Sequence, residues 1–319
     1  MEWLEKAIKP PSKRLRTYEA YRHVIKKRIR SSVLWGIKLQ HLKAVDLKQY
    51  YMESSLSSST LAQHHAILSG ALKAAVLEGL VSRNVATLVV GKPRWKDSHE
   101  DAMDHCWEAS EAKKFLEVAR ASGHQTAAFY SLALETGARK AELCGLRWED
   151  VDLENKRIWI RQQLVKTGHE PLFGPPKNGK PRVIDIGPQM VVLLAKHKAH
   201  QAEIKMANRY VYNDHGLVFA KEWGEMTRKV YCLGDPLQMN NLGQREYAKL
   251  IKKAGVRPIK FHGLRHTSGT LSLDAGILAS VVQERLGHKR IEITLGIYAH
   301  AMPSMQQEAA EKLGTLFHT

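Results

Sequence analysis

Between residues 262 and 298 the chain reads HGLRHTSGTLSLDAGILASVVQERLGHKRIEITLGIY, which concentrates side chains able to act on a phosphodiester. His262 and Arg265 stand three apart, so a helix would project an imidazole and a guanidinium from one face. Gly287 closes the helical run 281–286 as a stop, which leaves His288 at a helix end rather than inside one. Tyr298 follows ten residues after His288. Arginine offers a planar fork to phosphate oxygens, histidine moves protons near neutral pH, and tyrosine is a nucleophile once deprotonated. Singly, each of these residues reads more plainly as surface or core; together they point to chemistry. His262 and His266 also have the spacing of a helical zinc pair. Gly263 stands where a zinc hydrolase has glutamate, and no third ligand is evident, so no metal is expected.

This stretch resembles the C-terminal signature of the tyrosine recombinase (phage integrase) family: His-x-x-Arg, then Leu-Gly-His, then a nucleophilic tyrosine. The matching residues are His262 and Arg265, Leu286-Gly287-His288, and Tyr298. Upstream, TGARKAELCGLRWEDV is similar to the family's first box, Thr-Gly-x-Arg-x-x-Glu-Leu. That match makes Arg139 the first catalytic arginine and Glu142 a residue supporting it from behind. The family also carries a catalytic lysine on a hairpin, and the turn PPKNGKP offers Lys177 and Lys180. Lys177 fits the family's Lys-x-Gly context better. One departure is Gly263, where the family often has an acidic residue.

The resemblance implies a division of labour. Arg139 and Arg265 grip the non-bridging oxygens of the scissile phosphate, and His288 hydrogen-bonds it. His262 takes the proton of Tyr298, and Lys177 protonates the departing 5′ oxygen. The product is a 3′-phosphotyrosine that keeps the phosphoester energy, so neither ATP, metal nor another cofactor is expected. Two other readings stay open: type IB topoisomerase-like relaxation, and a DNA-binding module without catalysis. Partners implied are double-stranded DNA core sites, further copies in a homotetramer on DNA, and accessory DNA-bending or directionality factors. In this family an attachment site often abuts the encoding gene.

Composition agrees with a polyanion partner. The chain has 319 residues, 44% of them apolar, enough to core two domains. Its net charge of +17 reads as nucleic-acid binding rather than small-molecule chemistry. No apolar run nears the roughly 18 residues of a spanning helix, and no signal peptide opens the chain. A cytoplasmic protein is expected, nucleoid-associated when on DNA, with no membrane partner. Cys106, Cys144 and Cys232 are odd in number and lack metal-ligand spacing, as incidental thiols in a reducing cytosol do.

The elements that must position these residues suggest a mainly α fold with a small antiparallel β-sheet. By the resemblance, a helical core-binding domain occupies 1–90, a polar linker 91–105, and a mixed α+β catalytic domain 106–319. Residues 9–30 read as one amphipathic helix, with Tyr18, Tyr21, Ile25 and Ile29 inward. Its outer faces carry Lys13, Arg14, Arg16, Arg22, Lys26, Lys27 and Arg28 toward DNA phosphates. Only residues 1–8 precede it, so the arm-binding domain of many family members is expected to be absent or truncated.

Further helices are expected at 45–54, capped by Asp46, and 59–80, capped by Ser59, with His64-His65 as a surface pair. Others follow at 110–121 (capped by Ser110), 126–135, 140–146, 188–199 and 240–254. Arg139 would sit beside the first turn of the 140–146 helix, whose N–H groups favour phosphate. Strands at 156–161, 163–166 and 182–186 read as one antiparallel sheet, with the Lys177 turn joining the last two. Residues 211–237 hold Tyr212, Phe219, Trp223 and Tyr231 without a period, and these aromatics read as core. The tail places Met302, Met305, Ala309, Leu313 and Leu316 at helical steps. In the family such a tail helix docks on a neighbouring protomer; packing on its own domain is the plainer alternative.

Overall fold

The structure is a computed structural model that describes residues 2–94, 106–167, 170–222, 233–289, 310, 311, 313–315 and 317. The chain divides into two units, Met1–Asp97 and Ser98–Thr319.

The first unit is helical. A π-helical turn, Leu4–Ile8, precedes α1 (Leu15–Val24), which runs on through a second such turn, Ile25–Ile29. The helix therefore starts later than residue 9, because Pro10 and Pro11 supply no N–H to a helical ladder. Leu4, Ile8, Val24, Ile25, Ile29 and Ile67 bury one another, with Tyr18 and Tyr21 partly covered. The first eight residues thus belong to this unit instead of merely leading into it. Lys13 and Arg14 precede the helix, Arg16, Arg22, Lys26, Lys27 and Arg28 lie along it, and all seven are exposed.

Two further helices, α2 (Ala44–Met52) and α3 (Ser58–Leu77), close a second cluster around Leu47, Tyr50, Tyr51, Leu61 and Leu72. Asp46 is not the cap of α2. It sits inside the first turn and accepts from the Lys43 backbone N–H at 2.7 Å. Ser57, not Ser59, caps α3, its hydroxyl accepting from the Thr60 N–H at 3.3 Å. His64 is not a surface residue either: it is buried, with Nδ1 2.8 Å from the Tyr50 hydroxyl. His65 pairs likewise with Tyr51 at 2.9 Å. The facing tyrosines of α2 turn this histidine pair inward.

In the second unit α4 (Ala109–Arg120) is capped at Glu108, whose N–H donates to Glu111 at 3.1 Å, so Ser110 lies within the helix. The central helix is α5 (His124–Thr136), nearly all apolar on its buried faces, and it contacts α4, α7 (Pro188–Ala207) and α10 (Gly263–Asp274). Between α5 and α7 come the one-turn α6 (Lys140–Leu143) and five short strands. These are β1 (Val151–Asp152), β2 (Arg157–Ile160), β3 (Gln163–Lys166), β4 (Leu172–Gly174) and β5 (Arg182–Asp185). They form two sheets, not one: an antiparallel β1-β2-β5 sheet and a β3-β4 hairpin. Gln162 Nε2 donates to the Gly145 carbonyl at 2.8 Å, tying the start of β3 to the segment after α6 and away from β2. The Lys177 turn therefore links two sheets.

Helix α7 runs eight residues past its expected end. A later run is continuous from α8 (Met239–Asn241) through a π-helical turn, Leu242–Glu246, into α9 (Tyr247–Ala254). The unit continues through α10 to α11 (Ala279–Leu286). Phe219 is buried in the core and Tyr212 half-buried, while Trp223, Tyr231 and Cys232 lie outside the described residues. Cys106 and Cys144 are buried thiols outside any disulfide. In the tail, Leu313 and Phe317 are helical and exposed; Met302, Met305, Ala309 and Leu316 lie outside the described residues. Among the described residues no helix is long and apolar enough to cross a membrane.

Candidate active site

Arg139 is delivered by a tight exit from α5. Gly137 is left-handed, with φ of 59°, and a Cβ there would overlap Leu286 Cδ2, so glycine admits both the turn and the close approach of α11. The next residues carry Arg139 to the cap of α6. Glu142 holds it by both ends, with Oε2 accepting from the Arg139 backbone N–H and Oε1 from Nη1, each at 2.9 Å. The expected phosphate-favouring helix start is thus taken by a carboxylate, and α6 has a single turn.

Behind Glu142 lies Arg182, which was not among the residues expected from the sequence. It is buried, donating to Glu142 from Nη2 at 2.7 Å and from Nη1 at 3.2 Å. Its Nε donates to the Arg285 carbonyl at 2.9 Å, near the end of α11. Burial acts to raise the pKa of Glu142, but the Arg182 hydrogen bond and charge, followed by those of Arg139, outweigh it and hold the group at about 2. Period-two alternation contained the signal: in RVIDI, Arg182 shares its face with Ile184 and Ile186, so it points inward with them.

His262 caps α10 and Arg265 lies in its first turn, buried, with Nη1 donating to the Gly137 carbonyl at 2.8 Å. That bond sets the second arginine against the exit that carries the first. His262 packs edge-on against His266, with ring centroids 4.9 Å apart. His262 is exposed as a residue, but desolvation where its ring packs in the site pushes its pKa down to about 4, helped by His266, Arg265, Arg139 and Lys177. His288 is pushed to about 3 by burial, then by Arg265, Arg139, His266 and His262. Both imidazoles are neutral at pH 7, and a strong cationic field surrounds them.

Gly287 ends α11 left-handed, as expected, and places His288 just beyond. Its carbonyl accepts from Asn178 Nδ2 at 2.8 Å and from Arg139 Nη2 at 3.4 Å. Lys177 is exposed on the turn beside Asn178, and its charge acts on His262. Lys180, also exposed, lines a cleft of about 370 Å³ with Asn178, Arg182, Gln283 and His288. Arg139, Glu142, Lys177, His262, Arg265 and His288 therefore converge, from four separate segments. Tyr298 lies outside the described residues. Among the described residues no three His, Cys, Asp or Glu side chains group as a metal-binding set.

The model of the phage integrase family matches residues 106–305. This chain belongs to the phage integrase family. Its relatives include a tyrosine recombinase XerC-like protein of Caldanaerobacter subterraneus subsp. tengcongensis, 30% identical over 99% of this chain and 81% of that protein. The ICEBs1 integrase of Bacillus subtilis is 25% identical over 94% of this chain and 77% of its own length. Among solved structures, the Tn1549 transposon integrase in complex with circular intermediate DNA superimposes with a TM-score of 0.72 at 20% identity, covering 97% of this chain and 98% of that one. A lambda integrase dimer bound to a core site gives 0.66 at 20% identity, covering 92% and 96%. The family's mainly helical fold, with a small antiparallel sheet component, is the one described above.

Proposed function

We propose that this protein is a site-specific recombinase that cleaves and rejoins DNA through a 3′-phosphotyrosine intermediate formed by Tyr298, without metal or ATP. The observation that carries the reading is the convergence of Arg139 and Arg265 with His262 and His288, two imidazoles held neutral at pH 7. A phenol with pKa near 10 is mostly protonated at pH 7, so its attack needs a base and strong positive potential. The neutral His262 supplies the base. Arg139 and Arg265 hold the non-bridging oxygens and stabilise the added charge of the pentavalent transition state. His288 donates a further hydrogen bond to the phosphate. As the tyrosyl oxygen bonds to phosphorus, the bond to the 5′ oxygen breaks, and Lys177 gives that oxygen its proton. A 5′-hydroxyl of another strand then reverses the step, releasing Tyr298. Glu142 holds Arg139 in place.

The reading extends to partners. Double-stranded core-site DNA is met in part by Lys13 and Arg14, just before the first helix, and by Arg16, Arg22, Lys26, Lys27 and Arg28 along it, all exposed. Four copies assemble on DNA through the tail helix, with accessory bending or directionality factors choosing the outcome, in the cytoplasm at the nucleoid. The crystallised lambda integrase dimer on a core site supports the DNA partner.

The test uses nicked duplexes cut from the DNA flanking the encoding gene. Wild-type protein should trap a denaturation-resistant adduct on one of them, and Tyr298→Phe should bind that duplex with no adduct. An adduct formed by Tyr298→Phe would remove Tyr298 from the role. Relaxation of supercoils without joining two sites would make the protein a topoisomerase. Binding with no adduct from the wild type would leave a DNA-binding module.

A further inference from the structure

We infer that Asn178 is a positioning residue for Lys177, acting through the hydrogen bond that its side chain donates to the Gly287 carbonyl. The inference rests on the reading of Lys177 as the general acid.

The turn needs such an anchor. It joins β4 to β5, which belong to different sheets, so no ladder between neighbouring strands aligns it. Within it the Gly179 N–H donates to the Pro176 carbonyl at 2.8 Å, which shapes the turn without tying it to the site. On the β3 side, Gln163 Nε2 donates to the Pro175 carbonyl at 2.8 Å. On the His288 side the tie is Asn178 Nδ2 to Gly287, also 2.8 Å. The amide oxygen of Asn178 is buried and meets no donor among the described residues, so the donated bond is what orients the side chain.

Gly287 is a firm point to hold. Its N–H donates to the Gln283 and Glu284 carbonyls at 2.8 and 3.0 Å. The peptide lies against Arg182, whose guanidinium would sit 3.2 Å from a Cβ at Gly287. Arg182 in turn is locked to Glu142, the residue that holds Arg139. The same carbonyl also receives Arg139 Nη2. One carbonyl therefore gauges the lysine turn against both the first arginine and the peptide that bears His288. A long, exposed lysine has many rotamers, and fixing its backbone is what limits where its ammonium reaches. Asn-Gly by itself reads as turn chemistry, which Asp-Gly would serve as well; only the amide can donate to Gly287.

That difference makes the test. Asn178→Asp keeps the turn propensity and loses the donor, while Asn178→Ala loses the donor without adding charge. Each is assayed in single turnover on the captured duplex, and again on the same duplex with sulfur replacing the bridging 5′ oxygen. A thiolate leaves without a proton, so a fault in delivering the acid vanishes on sulfur. Both variants should bind the duplex as wild type and cleave the ordinary DNA about 10- to 100-fold more slowly. Both should return close to the wild-type rate on the sulfur-bridged DNA. Lys177→Ala should show the same rescue, and Arg139→Ala should stay slow on both. If Lys177→Ala is rescued but the Asn178 variants stay slow on both substrates, or are never slow, the inference is overturned. If Lys177→Ala itself is not rescued, the general-acid reading fails instead.

Discussion

Arg182 and Glu142 form a buried ion pair that a second arginine, Arg139, completes. Removing one partner of such a set leaves a carboxylate in a place water cannot reach. Arg182→Met should therefore cost about 3–5 kcal/mol of stability, read as a lower urea midpoint at an unchanged slope. Arg182→Lys should recover only part of this, since an ammonium cannot fork onto both carboxylate oxygens while also meeting the Arg285 carbonyl. An Arg182→Met protein as stable as wild type would mean that Arg139 alone is enough to hold the buried Glu142 carboxylate. Three depressed groups of the site contribute to a pH dependence, alongside the buried His197, also lowered to about 4. His262 at about 4, His288 at about 3 and Glu142 at about 2 all lie below their unfolded values. The unfolded chain then binds more protons, so stability is full above about pH 6.5 and declines as pH falls through the histidine window. Glu142 adds its own loss below about pH 4.5. Urea midpoints at pH 8, 6 and 4 should fall in that order, and His288→Gln should flatten the upper part of the decline. Midpoints that rise toward pH 4 would contradict the assignment.

At the scale of elements, the exit of α5 governs how α11 docks. Gly137→Ala would put a Cβ into Leu286 and strain a left-handed residue, the strain alone costing about 1–2 kcal/mol. The variant should melt lower and lose cleavage more than DNA binding, since α11 sets His288 while the first unit carries its own basic helix. Wild-type cleavage by this variant would show that α11 has room to move. Helix interiors were legible from apolar spacing, and the glycine stops at Gly137, Gly255 and Gly287 all hold left-handed backbone. Their starts were less so. Ser57, Ser58 and Ser59 stand in a row, and only the hydrogen bond to Thr60 selects the cap. Strand partners were legible only in part: β2 and β5 pair antiparallel as expected, but β3 pairs with β4 instead, because β3 and β5 show similar local patterns while pairing depends on which neighbour the fold brings alongside.

For the whole molecule, charge is the property that reaches furthest. With a net +17, binding should weaken steeply with salt, the log–log slope steepening by about 0.9 for each phosphate that the protein neutralises. Replacing Lys26, Lys27 and Arg28 with glutamine should lower both affinity and slope. An unchanged slope would turn that face of the first unit away from DNA. The family, the two-arginine, two-histidine set and the cationic character were all determined by the sequence alone, because each is carried by residue identity at short, ordered spacing. The tertiary structure decided what depends on distant segments meeting. Glu142 faces Arg182 across forty positions of chain, and Asn178 reaches Gly287 across more than a hundred. Such pairings leave no local period in the sequence, since hydrogen bonds between remote groups are selected by packing and not by spacing.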